Sequence, residues 1–241
     1  VDSAGRLWVA DGGNNRVLRF DDTATKANGA PADGVLGQPG FATKTFLNPP
    51  TNSSLTGPVG VFVDSGGRLW VGDSLNNRVL RFDNAATKAD GAPADAVLGQ
   101  ANFTSNGAVT PPAATSLLFP NGVFVDGGGR LWVADAGNNR VLRFDNAATK
   151  ANGAAADGVL GQPDFTTDSS ATSQNGMLIP VGVFGDPSGR LYVADVFNNR
   201  VLIFNNAALK NDGANANNVL GQPNFTSDNG GTVQLGSDNG P

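Results

Sequence analysis

A block of 60 to 62 residues recurs four times along this 241-residue chain, and no other feature narrows the possible folds as sharply. Gly-Arg-Leu-Trp-Val-Ala-Asp at Gly5 to Asp11 returns with one change at Gly67 to Asp73 and intact at Gly129 to Asp135. It returns again, with Tyr192 for the tryptophan, at Gly189 to Asp195. Around each copy lies the same order: an apolar run such as Gly-Val-Phe-Val-Asp, the repeated heptad, an Asn-Asn pair, Arg-Val-Leu-Arg-Phe, a loop, and Val-Leu-Gly-Gln. A period of this length is the signature of a repeat architecture, in which each unit buries its apolar face only against its neighbours.

The apolar runs are four to six residues long, rich in β-branched and aromatic residues, and bounded by Gly, Asp, Asn and Pro. They therefore read as strands rather than helices. In the second unit the expected strands are Val59 to Val63, Leu69 to Gly72, Arg78 to Phe82 and Ala96 to Gly99. The short links between the first three imply an antiparallel meander. Strands such as Val61-Phe62-Val63 are apolar on both faces, as expected of four-stranded sheets stacked on each other. The fold class is thus all-β, a β-propeller of four-stranded antiparallel blades, with blades near 1–57, 58–119, 120–179 and 180–241. Thirty-three Gly and 14 Pro against one Met agree with a chain of turns and short strands.

The runs Pro-x-Gly-Val-Phe-Val-Asp, Gly-Arg-Leu-Trp-Val-Ala-Asp and Asn-Asn-Arg-Val-Leu-Arg-Phe resemble the NHL repeat, and the resemblance covers all four units. It departs from the family in two ways. Asn stands where the family commonly has His in this turn (Asn15, Asn77, Asn139, Asn199), and each unit is longer, with the surplus in loops such as Asp83 to Asp95 and Asn102 to Phe119. Propellers of this family resemble six-bladed rings, so four units imply a tight small ring or an open array. Val1-Asp2 align with Val63-Asp64, and Pro241 aligns with Pro58, Pro120 and Pro180. The expectation is a segment of a longer array, or a protomer whose missing strand comes from a neighbour.

Composition removes many chemistries. With no His, no Cys and no Glu, this sequence has no imidazole or thiolate metal ligands, no Ser-His-Asp triad and no Cys nucleophile. Some propeller lactonases and hydrolases resemble this fold and hold a metal through Glu, Asn and Asp, but the Glu is missing here. A net charge of −5 opposes a phosphate backbone, so no nucleic-acid partner is expected. No apolar run reaches the roughly 20 residues of a spanning helix, so no membrane insertion is expected either.

Candidate residues divide by whether they recur. Asp11, Asp73, Asp135 and Asp195 each stand five residues before Arg16, Arg78, Arg140 and Arg200. They suit an acidic ring or calcium site at the propeller mouth, or structural turn pairs in which Asp accepts turn N–H bonds and pairs with Arg. Recurrence in every unit favours the structural reading. Trp8, Trp70, Trp132 and Tyr192 read as inter-blade packing, with an aromatic ligand platform as the alternative. Arg19, Arg81 and Arg143 are replaced by Ile203 in the fourth unit, so snorkelling over a neighbouring blade suffices for them. Asp21-Asp22, Asp164, Asp168 and Asp228 lie in oxygen-rich loops, yet none shows the alternating ligand pattern of a calcium loop. No cofactor is expected, calcium having no specific motif. Asn52, Asn102 and Asn224 open Asn-x-Ser/Thr sequons suited to N-glycosylation in an exported protein.

The leading expectation is a non-catalytic extracellular or cell-surface scaffold, structural or adhesive, associating with other proteins or with copies of itself head to tail into a filament. The alternatives are a propeller module that binds protein or carbohydrate at its loops, and a lactonase- or hydrolase-type enzyme.

Overall fold

The repeat becomes four successive antiparallel sheets in the computed structural model, which describes residues 1–229. Pro241 therefore lies outside the described residues. Blade 1 has three strands, β1 (Leu7–Asp11), β2 (Arg16–Phe20) and β3 (Gly34–Leu36). Blade 2 has four, β4 (Pro58–Val63), β5 (Leu69–Asp73), β6 (Arg78–Phe82) and β7 (Ala96–Leu98). Blade 3 consists of β8 (Pro120–Val125), β9 (Leu131–Asp135), β10 (Arg140–Phe144) and β11 (Gly158–Leu160). Blade 4 consists of β12 (Pro180–Gly185), β13 (Leu191–Asp195), β14 (Arg200–Phe204) and β15 (Asn218–Leu220). Register is the same throughout, with Asp11, Asp73, Asp135 and Asp195 each opposite the arginine of the next strand. Single 3-10 turns are the only helical elements among the described residues.

Side chains alternate between the two faces of each strand. Trp8, Val17 and Leu36 of blade 1 share a core with Leu69, Val71, Leu80 and Phe82 of blade 2. Trp70, Val79 and Leu98 meet Leu131, Val133, Leu142 and Phe144 in the same way. Trp132, Val141 and Leu160 then meet Leu191, Val193, Leu202 and Phe204. Each blade thus has a trailing face carrying the aromatic and a leading face that receives the previous blade. The tryptophans fill the junctions.

Inner strands approach closely because they carry glycine at one position. A Cβ on Gly60 would lie 2.2 Å from the Asn121 carbonyl, and one on Gly122 would lie 2.6 Å from that of Val181. Beside them Phe62, Phe124 and Phe184 run across the three inner strands, with successive ring centroids 5.1 Å apart.

Candidate functional site

The recurring Asp and Arg sit where the second and third strands meet their turn, and they clamp the loops that enter and leave each blade. In blade 2, Arg78 Nε donates to Asp73 Oδ2 at 2.7 Å, and Nη2 donates to the carbonyls of Thr51 and Ser54 at 3.0 and 2.8 Å. Nη1 donates to the Phe103 carbonyl. Arg140 repeats this with Asp135 and the carbonyls of Ala113, Ser116 and Phe165. Arg200 does so with Asp195 and the carbonyls of Ser173, Gly176 and Phe225. One guanidinium therefore ties together the incoming loop, its own blade and the outgoing loop. In these three pairs both side chains are fully buried, whereas Arg16 and Asp11 remain 17% and 23% exposed.

The carboxylates accept N–H bonds from the Asn-Asn turn, as their spacing suggested, through the side-chain amide of its first asparagine, and they also reach beyond the turn. Oδ1 of Asp73, Asp135 and Asp195 accepts from the backbone of Thr56, Leu118 and Leu178, in the loop that precedes each blade. The second oxygen also accepts from Asn76, Asn138 or Asn198. Burial pushes the Asp73 and Asp135 carboxyls upward from their usual value, against the pull of the arginine, the loop N–H and the asparagine. At Asp11 burial acts the same way but is outweighed by Arg16 and Asn14, which hold the carboxyl below its usual value.

The second asparagine of each turn adopts a left-handed conformation, φ 51° to 55°, which Asn tolerates better than most residues. From there Asn15, Asn77 and Asn139 accept the N–H of Gly57, Phe119 and Ile179. Gln38, Gln100 and Gln162 donate back to the carbonyls of the same asparagines and to the following loop. These glutamines recur in Val-Leu-Gly-Gln in every unit, a signal the motif reading left unused.

Asn52, Asn102 and Asn224 are exposed. Asn102 Oδ1 is already engaged by the backbone and hydroxyls of Thr104 and Ser105, and Asn224 by Thr226 and Ser227. Asp164 makes the same turn in the third unit. The position is thus a turn former that has Asn in two units and Asp in another. Asp21 pairs with Arg19, while Asp168 and Asp228 offer backbone carbonyls to Asn139 and Asn199. No group of three or more carboxylates suited to a metal occurs among the described residues.

Arg19, Arg81 and Arg143 do more than lay an aliphatic stem on a neighbour. Each Nη1 donates to a carbonyl of the next blade, Ala86, Ala148 and Ala208. Arg81 and Arg143 also lie about 6 Å over the rings of Trp70 and Trp132. At this same end of the blades, away from the Asp73–Arg78 type of clamp, Asp2, Asp64, Asp126 and Asp186 each accept from the arginine four residues on and the aromatic six residues on. That constant spacing is visible in the sequence of all four units, beside the more conspicuous Asp and Arg of the hairpin.

One feature breaks the symmetry. Gly185 stands where the other inner strands carry Val63 and Val125, and beside it a cleft of about 260 Å³ opens between blades 3 and 4. Phe124 and Trp132 form its apolar wall, and the Asp126–Arg130 and Asp186–Arg190 pairs its polar rim.

Comparison with known proteins agrees with this architecture. The NHL repeat family model matches residues 55–82 and 117–144, which span the junction loop and first three strands of blades 2 and 3. No curated protein matches the chain. Among solved structures, the nidogen/laminin complex is 18% identical with a TM-score of 0.54, over 92% of this chain and 61% of that one. A streptogramin B lyase is 14% identical with a TM-score of 0.51, over 86% and 50%. Virginiamycin B lyase from Staphylococcus aureus is 13% identical with a TM-score of 0.52, over 95% and 56%. The chain spans between half and about three-fifths of their lengths, and the likeness is one of fold.

Proposed function

Since the NHL repeat family model matches two of the four units and all four fold as β-propeller blades, we propose that this chain is a non-catalytic scaffold whose work is done through protein contacts. One observation carries the reading. The polar side chains that recur in every unit spend their donors and acceptors on the blades and loops themselves, so they hold the array and leave no convergent set free for chemistry among the described residues. The missing His, Cys and Glu support the same conclusion, and the reading invokes no cofactor. Exposed sequons at Asn52, Asn102 and Asn224 and a low density of charge support a structural or adhesive role outside the cell or at its surface. The test is an ester and lactone hydrolysis panel with and without calcium, in which background rates are expected. Turnover that disappears in Asp126→Asn or Asp186→Asn would replace this reading with an enzyme.

The cleft beside Gly185 favours a second reading, a module that binds a peptide or sugar through an apolar wall with a charged rim. Saturable binding to a glycan or peptide array, lost in Arg190→Ala, would establish it.

A further inference from the structure

Three departures from the repeat meet in the cleft between blades 3 and 4. The first is the turn that leaves β8. Ser3, Ser65 and Pro187 follow the Asp of the other three units, whereas Gly127 follows Asp126, and a Cβ there would meet no atom within 4 Å. Bare backbone therefore forms one lip of the cleft, and a ligand can approach it closely. The second is the ion pair across that turn. Arg6, Arg68 and Arg190 each donate through Nε to their Asp at 2.8 to 2.9 Å, but Arg130 reaches Asp126 only through Nη1, at 3.2 and 3.4 Å. Its fork is turned aside, and the Asp126 side chain is 22% exposed where that of Asp64 is 4% exposed. The third is Gly185, where a Cβ would lie 2.5 Å from Phe124 Cε1, so the ring lies against bare backbone at the floor of the cleft.

The charges in the cleft balance. Arg130 and Arg190 stand against Asp126 and Asp186, so a ligand with net charge gains nothing from the site as a whole. What the rim offers is acceptors beside donors: the opened carboxylate of Asp126, Nη2 of Arg130 and both Nη atoms of Arg190, these nitrogens having no partner among the described residues. Adjacent hydroxyls match that alternation, because each both donates and accepts. Phe124 and Trp132, each less than a tenth exposed, give an apolar floor for the C–H face of a ring. At about 260 Å³ the cleft is smaller than the roughly 300 to 1,000 Å³ of sites for drug-sized ligands, so it takes one ring rather than a length of peptide. We propose that it binds a single neutral sugar residue, with vicinal hydroxyls on Asp126 and Arg130 and the ring face toward Phe124.

This inference rests on the second reading above and narrows its ligand. Trp132 reports on the site directly, because its indole N–H donates to Asp126 Oδ2 at 3.1 Å. Trp70 and Trp8 make the same bond to Asp64 and Asp2 at the other two junctions and serve as controls in the same chain. The test titrates the full chain with glucose, galactose, mannose and N-acetylglucosamine, free and as methyl glycosides, and follows the three indole N–H signals by nitrogen NMR. The Trp132 signal is expected to move saturably with one of these sugars, with Kd on the order of 1 mM, while the other two stay still. Arg130→Gln should weaken this response about tenfold, and Arg68→Gln, the same change in blade 2, should leave it intact. Response to a glycoside identifies the end of a glycan as the source and response to free sugars alone a monosaccharide; both bear out the proposal. A still Trp132 signal, equal movement of all three indoles, or a response to glucuronate alone overturns it. Peptide binding lost in Arg190→Ala, with no sugar response, would sink the sugar and leave the binding reading standing, whereas the absence of both would sink the two together.

Discussion

Arg140 shows at the residue scale why a buried charge persists in every blade. Its donors are shared among one carboxylate and three carbonyls from two separate loops, so no neutral side chain of similar size replaces them all. Arg140→Ala is expected to cost about 3 to 5 kcal/mol, since it leaves Asp135 charged, buried and unpaired. Arg16→Ala should cost markedly less, because that pair is already partly solvated and its incoming loop contacts are missing among the described residues. Urea denaturation of the two variants measures the difference. Asp186 offers a pH readout: Ser188, Arg190 and Tyr192 donate to it and hold its carboxyl far below the usual value. A depressed carboxylate contributes stability above its unfolded pKa of about 3.9 and loses it as pH falls toward the folded value. The stability gap between the parent and Asp186→Asn should therefore be full above about pH 5 and shrink on acidification. A gap independent of pH would show that the charge is not what these donors recognise.

At the scale of the blade, the aromatic on the second strand works for the next blade rather than its own. Trp70 is almost fully buried against blade 3, bonded to Asp64 at 3.0 Å and capped by Arg81. Trp70→Ala should cost about 3 to 5 kcal/mol. Tyr192→Ala should cost far less in the monomer, because its face is half-open. Thermal melts of both variants test this, and equal losses would mean that the tyrosine is covered by something other than the described residues.

For the molecule as a whole, stability follows a nearest-neighbour rule: among the described residues, blades 2 and 3 have two covered faces, and blades 1 and 4 have one. Hydrogen exchange in the monomer should therefore be slowest in β6 and β10 and faster in β2 and β14, with β15 opening first. Uniform protection across all four blades would show that the ends are closed against each other.

The sequence alone determined the strands, their meander and the stacking of blades, because those depend on local periodicity and on a repeat that reports its own alignment. Leu69 to Phe82 was legible almost to the residue for that reason. The pairing of Asp73 with Arg78 was legible too, since both lie across one hairpin. The partners of these side chains were not, because Arg78 reaches 24 to 27 residues back and 25 forward, and Arg81 reaches 67 forward to Ala148. Only the tertiary structure decided which loops the recurring charges bind. It also decided that a cleft lies beside Gly185 between blades 3 and 4, walled by Phe124 and Trp132. Those properties depend on which blade lies beside which, and a repeat that looks alike in every unit carries no local mark of its neighbour.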